Sequence, residues 1–127
     1  IKLLALLLFS ALSILIFLPV LAIYVGLVAI IPIIIYPFMK RITYFPQIFL
    51  GFTFNIGVLI AWITVTHHLS WLPLLLYIST ACWTIGYDTI YAHQDKNDDM
   101  EIGVKSMAIK FGNNTADLVW KLYRVVV

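Results

Sequence analysis

The chain has 127 residues, of which 63% are hydrophobic and only 11% are charged, and its formal net charge is +2. A soluble domain of this size carries about 25% charged residues, so the composition excludes an ordinary soluble domain and indicates a membrane protein. The single cysteine, Cys82, lies in an apolar run and excludes an intramolecular disulfide.

Long apolar segments predict an all-α fold, a polytopic transmembrane helix bundle with four spans. Residues 3–39 contain no charge, and as one helix they would be about 55 Å long, against a hydrocarbon core of about 30 Å. Pro19 cannot continue an unbroken helix, so we expect two spans there, joined by a tight reversal. The four predicted spans are 3–17, 21–39, 48–65 and 71–91.

The basic residues outside the spans predict the orientation of the chain in the membrane. Four spans return the chain to its starting side, which then holds most of the basic residues, while the two opposite turns have none. By the positive-inside rule this side is the cytoplasm, or the matrix in a mitochondrion. A polar segment at 92–112, the acidic segment, also lies there, and residues 114–127 predict the start of a further helix. The basic residues of this side are Lys2, Lys40, Arg41, Lys96, Lys105 and Lys110.

Five of the six acidic residues lie within residues 88–101, at the end of the fourth span. If residues 87–99 form one helix, Asp88, Asp95 and Asp99 project within about 40° of one another. Carboxylates held this close repel one another unless a cation lies between them, and oxygen ligands suit Mg²⁺. A solvated helix end is the alternative interpretation of the same pattern.

The remaining acidic residues of this segment, Asp98 and Glu101, lie off that face, and we expect them to face solvent. Lys40 and Arg41 are predicted to lie on the same side of the membrane as the carboxylates. A metal held by carboxylates beside a basic residue, above an apolar floor, can bind a diphosphate attached to a lipid tail. The residues therefore predict a cation and diphosphate site at the membrane surface.

Short motifs occur in a fixed order over nearly the whole chain. They are Tyr36-Pro37-Phe38-Met39-Lys40-Arg41, Pro46-Gln47, Leu50-Gly51, Tyr87-Asp88-Thr89, Tyr91-Ala92, Asp95, Asp98-Asp99, Ile102-Gly103, Lys105-Ser106 and Ala108-Ile109. In this order they resemble the UbiA superfamily of intramembrane aromatic prenyltransferases. Within that superfamily the likeness is greatest to the branch that acts on 4-hydroxybenzoate in ubiquinone synthesis.

The resemblance implies roles for individual residues. The second aspartate-rich motif of the family falls on Asp95 and Asp99, with Asp88 earlier, and these three are the predicted metal ligands. The YxxxK motif of the family falls on Tyr36 and Lys40, which are the predicted catalytic residues. The residues predicted to bind diphosphate are Lys40, Arg41 and Lys105.

The resemblance also implies the complete fold and the reaction. It implies a membrane-embedded bundle of about nine spans, of which residues 1–127 are one part, with a central cavity that opens toward the cytoplasm. Polyprenyl diphosphate would ionise there with Mg²⁺ as cofactor. The ring carbon of 4-hydroxybenzoate ortho to the hydroxyl would then attack the allylic cation.

Two other functions fit parts of the pattern. An enzyme of the haem or menaquinone branch of the same superfamily would also place carboxylates at a helix end. A cation-coupled transporter would use carboxylates as well, but transporters place ionisable residues near the middle of the bilayer, where this sequence has none.

The chain departs from the family pattern in two ways. It has no Asn-Asp-x-x-Asp motif, the first aspartate-rich motif of the family, and Met107 stands where threonine is common. We interpret the sequence as a piece that begins after that motif, so half of the metal site would be missing.

Residues 1–127 alone are therefore expected to be inactive. The test is an assay in detergent with Mg²⁺, polyprenyl diphosphate and 4-hydroxybenzoate, in which no prenylated product should form. Formation of product by the isolated polypeptide would contradict this prediction.

Overall fold

The computed structural model describes residues 2–127, and in that range all regular structure is helical, which confirms the predicted all-α class. A 3₁₀ turn, Gly112–Asn114, joins the last two α-helices. The α-helices are α1 (Lys2–Ile16), α2 (Val20–Ile42), α3 (Pro46–Thr66), α4 (Trp71–Tyr91), α5 (Lys96–Glu101), α6 (Met107–Phe111) and α7 (Thr115–Val126).

Proline sets the start of α2 and interrupts its hydrogen bonding. Pro19 is the residue immediately before the helix, at the reversal that separates α1 from α2. Pro32 and Pro37 lie inside α2, and because proline has no N–H, each removes one helical hydrogen bond. The helix continues past the predicted end of the second span, so that Lys40 and Arg41 lie in its last turn.

Two of the helices, α2 and α3, are long and apolar enough to cross a membrane. With 15 residues, α1 is about 22 Å long and is shorter than the hydrocarbon core. The 21 residues of α4 give it sufficient length, but its sequence is more polar and it does not meet the same criterion. The count of four spans therefore remains a prediction for α1 and α4.

The helix α3 packs between α2 and α4, and α7 packs on α4. At the α3–α4 contact a Cβ on Gly51 would lie 2.5 Å from Cγ1 of Ile85 and 2.9 Å from the carbonyl oxygen of Ala81. Close to it, the Asn55 side chain donates a hydrogen bond of 2.8 Å to Oγ1 of Thr84. Small residues and interhelical hydrogen bonds are the means by which helices associate in lipid.

The contact between α4 and α7 is built in a similar way. The ring of Tyr123 lies against Gly86, where a Cβ would be 2.5 Å from the ring. Tyr123 also stacks on Trp83, with 5.0 Å between ring centroids and an interplanar angle of 17°. Because a larger residue at Gly86 would displace this ring, the glycine sets how closely the two helices approach.

Gly51→Ala is predicted to destabilise the chain. The added methyl group would overlap Ile85 and the Ala81 carbonyl, and overpacking of this kind costs about 1–3 kcal/mol. The matched control is Gly57→Ala on the same helix, where a Cβ meets nothing within 4 Å. Thermal unfolding in detergent should show a lower Tm for Gly51→Ala and an equal or higher Tm for Gly57→Ala. Equal Tm values for the two variants would contradict the close α3–α4 contact.

Candidate active site

Three of the predicted site residues lie on α2 and α4, the two helices that pack on either side of α3. Tyr36 and Lys40 are one turn apart on α2, and Asp88 is on α4. Asp88 lies within electrostatic reach of both Tyr36 and Lys40, and all three side chains are partly buried. Arg41 follows Lys40 and is exposed. The end of α2 thus presents Lys40 near one carboxylate and Arg41 to the surroundings.

The prediction that residues 87–99 form one helix is wrong. The helix α4 ends at Tyr91, a turn follows at 92–95, and α5 starts at Lys96. The helical projection that put Asp88 on one face with the later carboxylates therefore does not apply.

A contact between distant parts of the chain accompanies the end of α4. His93 and Thr115, at the start of α7, are joined by a hydrogen bond of 2.9 Å between Nε2 and Oγ1. The Thr115 hydroxyl donates its proton to the Gly112 carbonyl at 2.8 Å, so its oxygen accepts from Nε2–H of His93. This contact joins the turn after α4 to the start of α7. The polar residues that follow have no apolar face to pack as a continued helix.

Two of the four acidic residues of the acidic segment, Asp95 and Asp99, are joined by a main-chain hydrogen bond. The N–H of Asp99 donates to the Asp95 carbonyl at 2.8 Å, so the two residues are one helical turn apart, with Asp95 exposed and Asp99 only 7% exposed. Asp98 and Glu101 are exposed, as predicted. Within residues 2–127, no three His, Cys, Asp or Glu side chains are close enough to hold one metal ion. The predicted grouping of Asp88 with the pair is therefore wrong for this structure.

The segment that follows α5 returns to the end of α2. We call residues 104–107 the strap. The N–H of Lys105 donates to the Lys40 carbonyl at 2.7 Å, and Nζ of Lys105 donates to the Ile42 carbonyl at 3.1 Å. The same ammonium lies 5.4 Å from the centroid of the Tyr44 ring. The acidic segment is therefore tied to the basic end of α2.

Two further hydrogen bonds of the strap involve Asp99 and Gln47. The N–H of Val104 donates to the Asp99 carbonyl at 2.9 Å, and the N–H of Met107 donates to Oε1 of Gln47 at 3.1 Å. The sequence patterns predicted no role for Gln47. The signal in the sequence is an amide directly after Pro46, in the first turn of an apolar helix, whereas its burial is seen only in the structure.

Fold and site together define a helical membrane protein with a lysine and a pair of carboxylates at one end of the bundle. The model of the UbiA prenyltransferase family matches residues 1–127, the whole chain. The chain belongs to the UbiA prenyltransferase family and is an integral membrane protein.

Its relatives include 4-hydroxybenzoate polyprenyltransferases from animals, fungi and bacteria. The mitochondrial enzyme of Aedes aegypti is 57% identical over 84 residues, which are 65% of this chain and 19% of that protein. The mitochondrial enzyme of Schizosaccharomyces pombe is 44% identical over 118 residues, 91% of this chain and 33% of that protein. The 4-hydroxybenzoate octaprenyltransferase of Vibrio campbellii is 50% identical over 80 residues, 63% of this chain and 28% of that protein. The chain therefore spans a fifth to a third of the length of these relatives, and no solved structure matches it.

Proposed function

We propose that the full-length protein transfers a polyprenyl group from polyprenyl diphosphate to 4-hydroxybenzoate, at the ring carbon ortho to the hydroxyl. The relatives named above support this substrate pair. In the structure, the main support is the hydrogen bond between the Lys105 N–H and the Lys40 carbonyl, since it joins the acidic segment to the basic end of α2. Family membership favours this enzymatic function over a cation-coupled transporter.

The carboxylate pair fits the binding of Mg²⁺ together with a substrate. Mg²⁺ takes oxygen ligands and is usually held by one or two carboxylates plus substrate phosphates. Asp95 and Asp99 offer two carboxylates one turn apart, and the Asp95 side chain is not used to cap α5. We propose these two as the ligands that residues 1–127 contribute to the metal, whereas Asp88 lies near Lys40 and is not grouped with them. Bound there, Mg²⁺ would neutralise part of the charge on the diphosphate.

The basic residues would bind the diphosphate itself. Lys40 and Arg41 lie in the last turn of α2, with Lys40 near Asp88, and each can donate hydrogen bonds to phosphate oxygens. The Lys105 ammonium donates one of its three protons to the Ile42 carbonyl, which leaves two for a phosphate. Tyr36 lies one turn before Lys40, where its ring can stabilise positive charge on the allylic carbons.

The reaction needs no nucleophilic side chain. The carbon–oxygen bond of the diphosphate breaks, the electron pair leaves with the diphosphate, and an allylic cation remains. A carbon–carbon bond then forms to the electron-rich ring, and the attacked ring carbon loses its proton to the departed diphosphate or to water. Lys40 and Arg41 act by stabilising the charge that develops on the leaving group.

The membrane arrangement belongs to the same proposal. We propose that α1 and α4 also span the bilayer, as α2 and α3 can, so that residues 2–91 contain four spans. The site then lies on the cytoplasmic or matrix side, where the apolar helices can hold the prenyl tail.

Asp95→Ala and Asp99→Ala in the full-length protein are each predicted to lower prenyl transfer about 100-fold or more, because each removes a carboxylate from the proposed metal site. Both should also weaken Mg²⁺-dependent binding of polyprenyl diphosphate. The control is Asp98→Ala, the exposed neighbour, which should retain most activity. Wild-type activity of Asp95→Ala and Asp99→Ala would refute the assignment.

A further inference from the structure

Gln47 is a buried polar residue whose hydrogen bond is made to a distant part of the chain. It is 2% exposed, and its Oε1 accepts the N–H of Met107, which is also 2% exposed. Ser106 beside it is fully buried. Water cannot readily replace a lost partner here, and leaving a buried group unpaired costs about 1–3 kcal/mol. Gln47 therefore fixes the end of the strap against the first turn of α3.

The strap connects this buried anchor to two residues of the proposed site. Along it, Val104 bonds the Asp99 carbonyl, Lys105 bonds the Lys40 carbonyl, and Met107 bonds Gln47. The Asp99 and Lys40 bonds involve only main-chain atoms, which any residue except proline supplies at the donor positions. The bond to Gln47 depends on one side chain, so it can be removed by a single substitution.

We propose that Gln47 is a positioning residue that holds the acidic segment beside Lys40. Its side chain is buried and does not touch substrate. It fixes the strap, and the strap sets the position of Asp99 relative to Lys40, so that one diphosphate meets both. The kinetic part of this inference rests on the proposed prenyl transfer, whereas the structural part does not.

The structural part is tested by a distance measurement on the full-length protein. Spin labels are attached to the variants Phe38→Cys and Glu101→Cys, at exposed positions of α2 and α5. All other cysteines are removed, which includes Cys82→Ala. Gln47→Met removes the acceptor at a similar side-chain volume and should broaden the distance distribution measured by electron paramagnetic resonance. Gln94→Met makes the same change at an exposed position and should leave the distribution as in the wild type.

The kinetic part is tested by separating KM from kcat. Gln47→Met should raise the KM for polyprenyl diphosphate about tenfold, because misplacement of a positioned group weakens its contact with the substrate. A purely structural effect would reduce the amount of folded enzyme and lower the apparent kcat at an unchanged KM. Gln94→Met should keep both constants.

A second pair of variants removes the same hydrogen bond from the other side. Met107 is the first residue of α6, a position at which helices tolerate proline. The preceding residue, Ser106, has the extended backbone that residues before proline prefer. Met107→Pro removes the N–H that bonds Gln47, whereas Met107→Ala retains it. The proline variant should therefore show a broader distance distribution and a higher KM than the alanine variant. This pair decides the question if Gln47→Met does not fold.

The proposal is overturned if folded Gln47→Met matches the wild type in distance distribution and KM, or if Gln94→Met reproduces its effects. It is equally overturned if Met107→Pro and Met107→Ala behave alike. If the wild-type protein transfers no prenyl group, the proposed function fails, and the distance measurements still decide whether Gln47 positions the acidic segment.

Discussion

The hydrogen bond from the Lys105 N–H to the Lys40 carbonyl, 2.7 Å long, joins two parts of the chain on which the proposed site depends. The last carbonyls of a helix have no partner within it, and at the end of an apolar helix they need one from elsewhere. The strap supplies partners for Lys40 and Ile42 of α2. Because Val104 of the strap also bonds the Asp99 carbonyl, the contacts that complete the helix end connect it to the acidic segment.

The packing of α3 determines where those groups meet. Because α3 packs on both α2 and α4, it sets the separation between Lys40 and Asp88. The close approach at Gly51 and the hydrogen bond between Asn55 and Thr84 fix the α3–α4 contact. The apolar helices thus serve as a frame for a polar site that is assembled from their ends.

Local sequence signals predicted the helices and the family but not the shape of the acidic segment. Uncharged apolar runs and Pro19 indicated where helices lie, since both act over a few residues. The helix α4 ends before Asp95, and nearby His93 contacts Thr115. Because these two residues are distant along the chain, no local pattern predicts this contact. The role of Gln47 is hidden for the same reason, because its partner lies sixty residues away along the chain. Asp95 and Asp99 still lie one turn apart, because residues four positions apart are separated by about one turn in any α-helix.

In the proposed site, Lys40 and Asp99 act on one ligand. This shared action is tested most directly by a double-mutant cycle with Lys40→Met and Asp99→Asn in the full-length protein. Calorimetry would measure the binding of a non-reactive polyprenyl diphosphate analogue in the presence of Mg²⁺. If both residues bind the same diphosphate, the loss in the double variant differs from the sum of the single losses by about 0.5–3 kcal/mol. Additive losses would mean that the two residues act independently and would contradict the account.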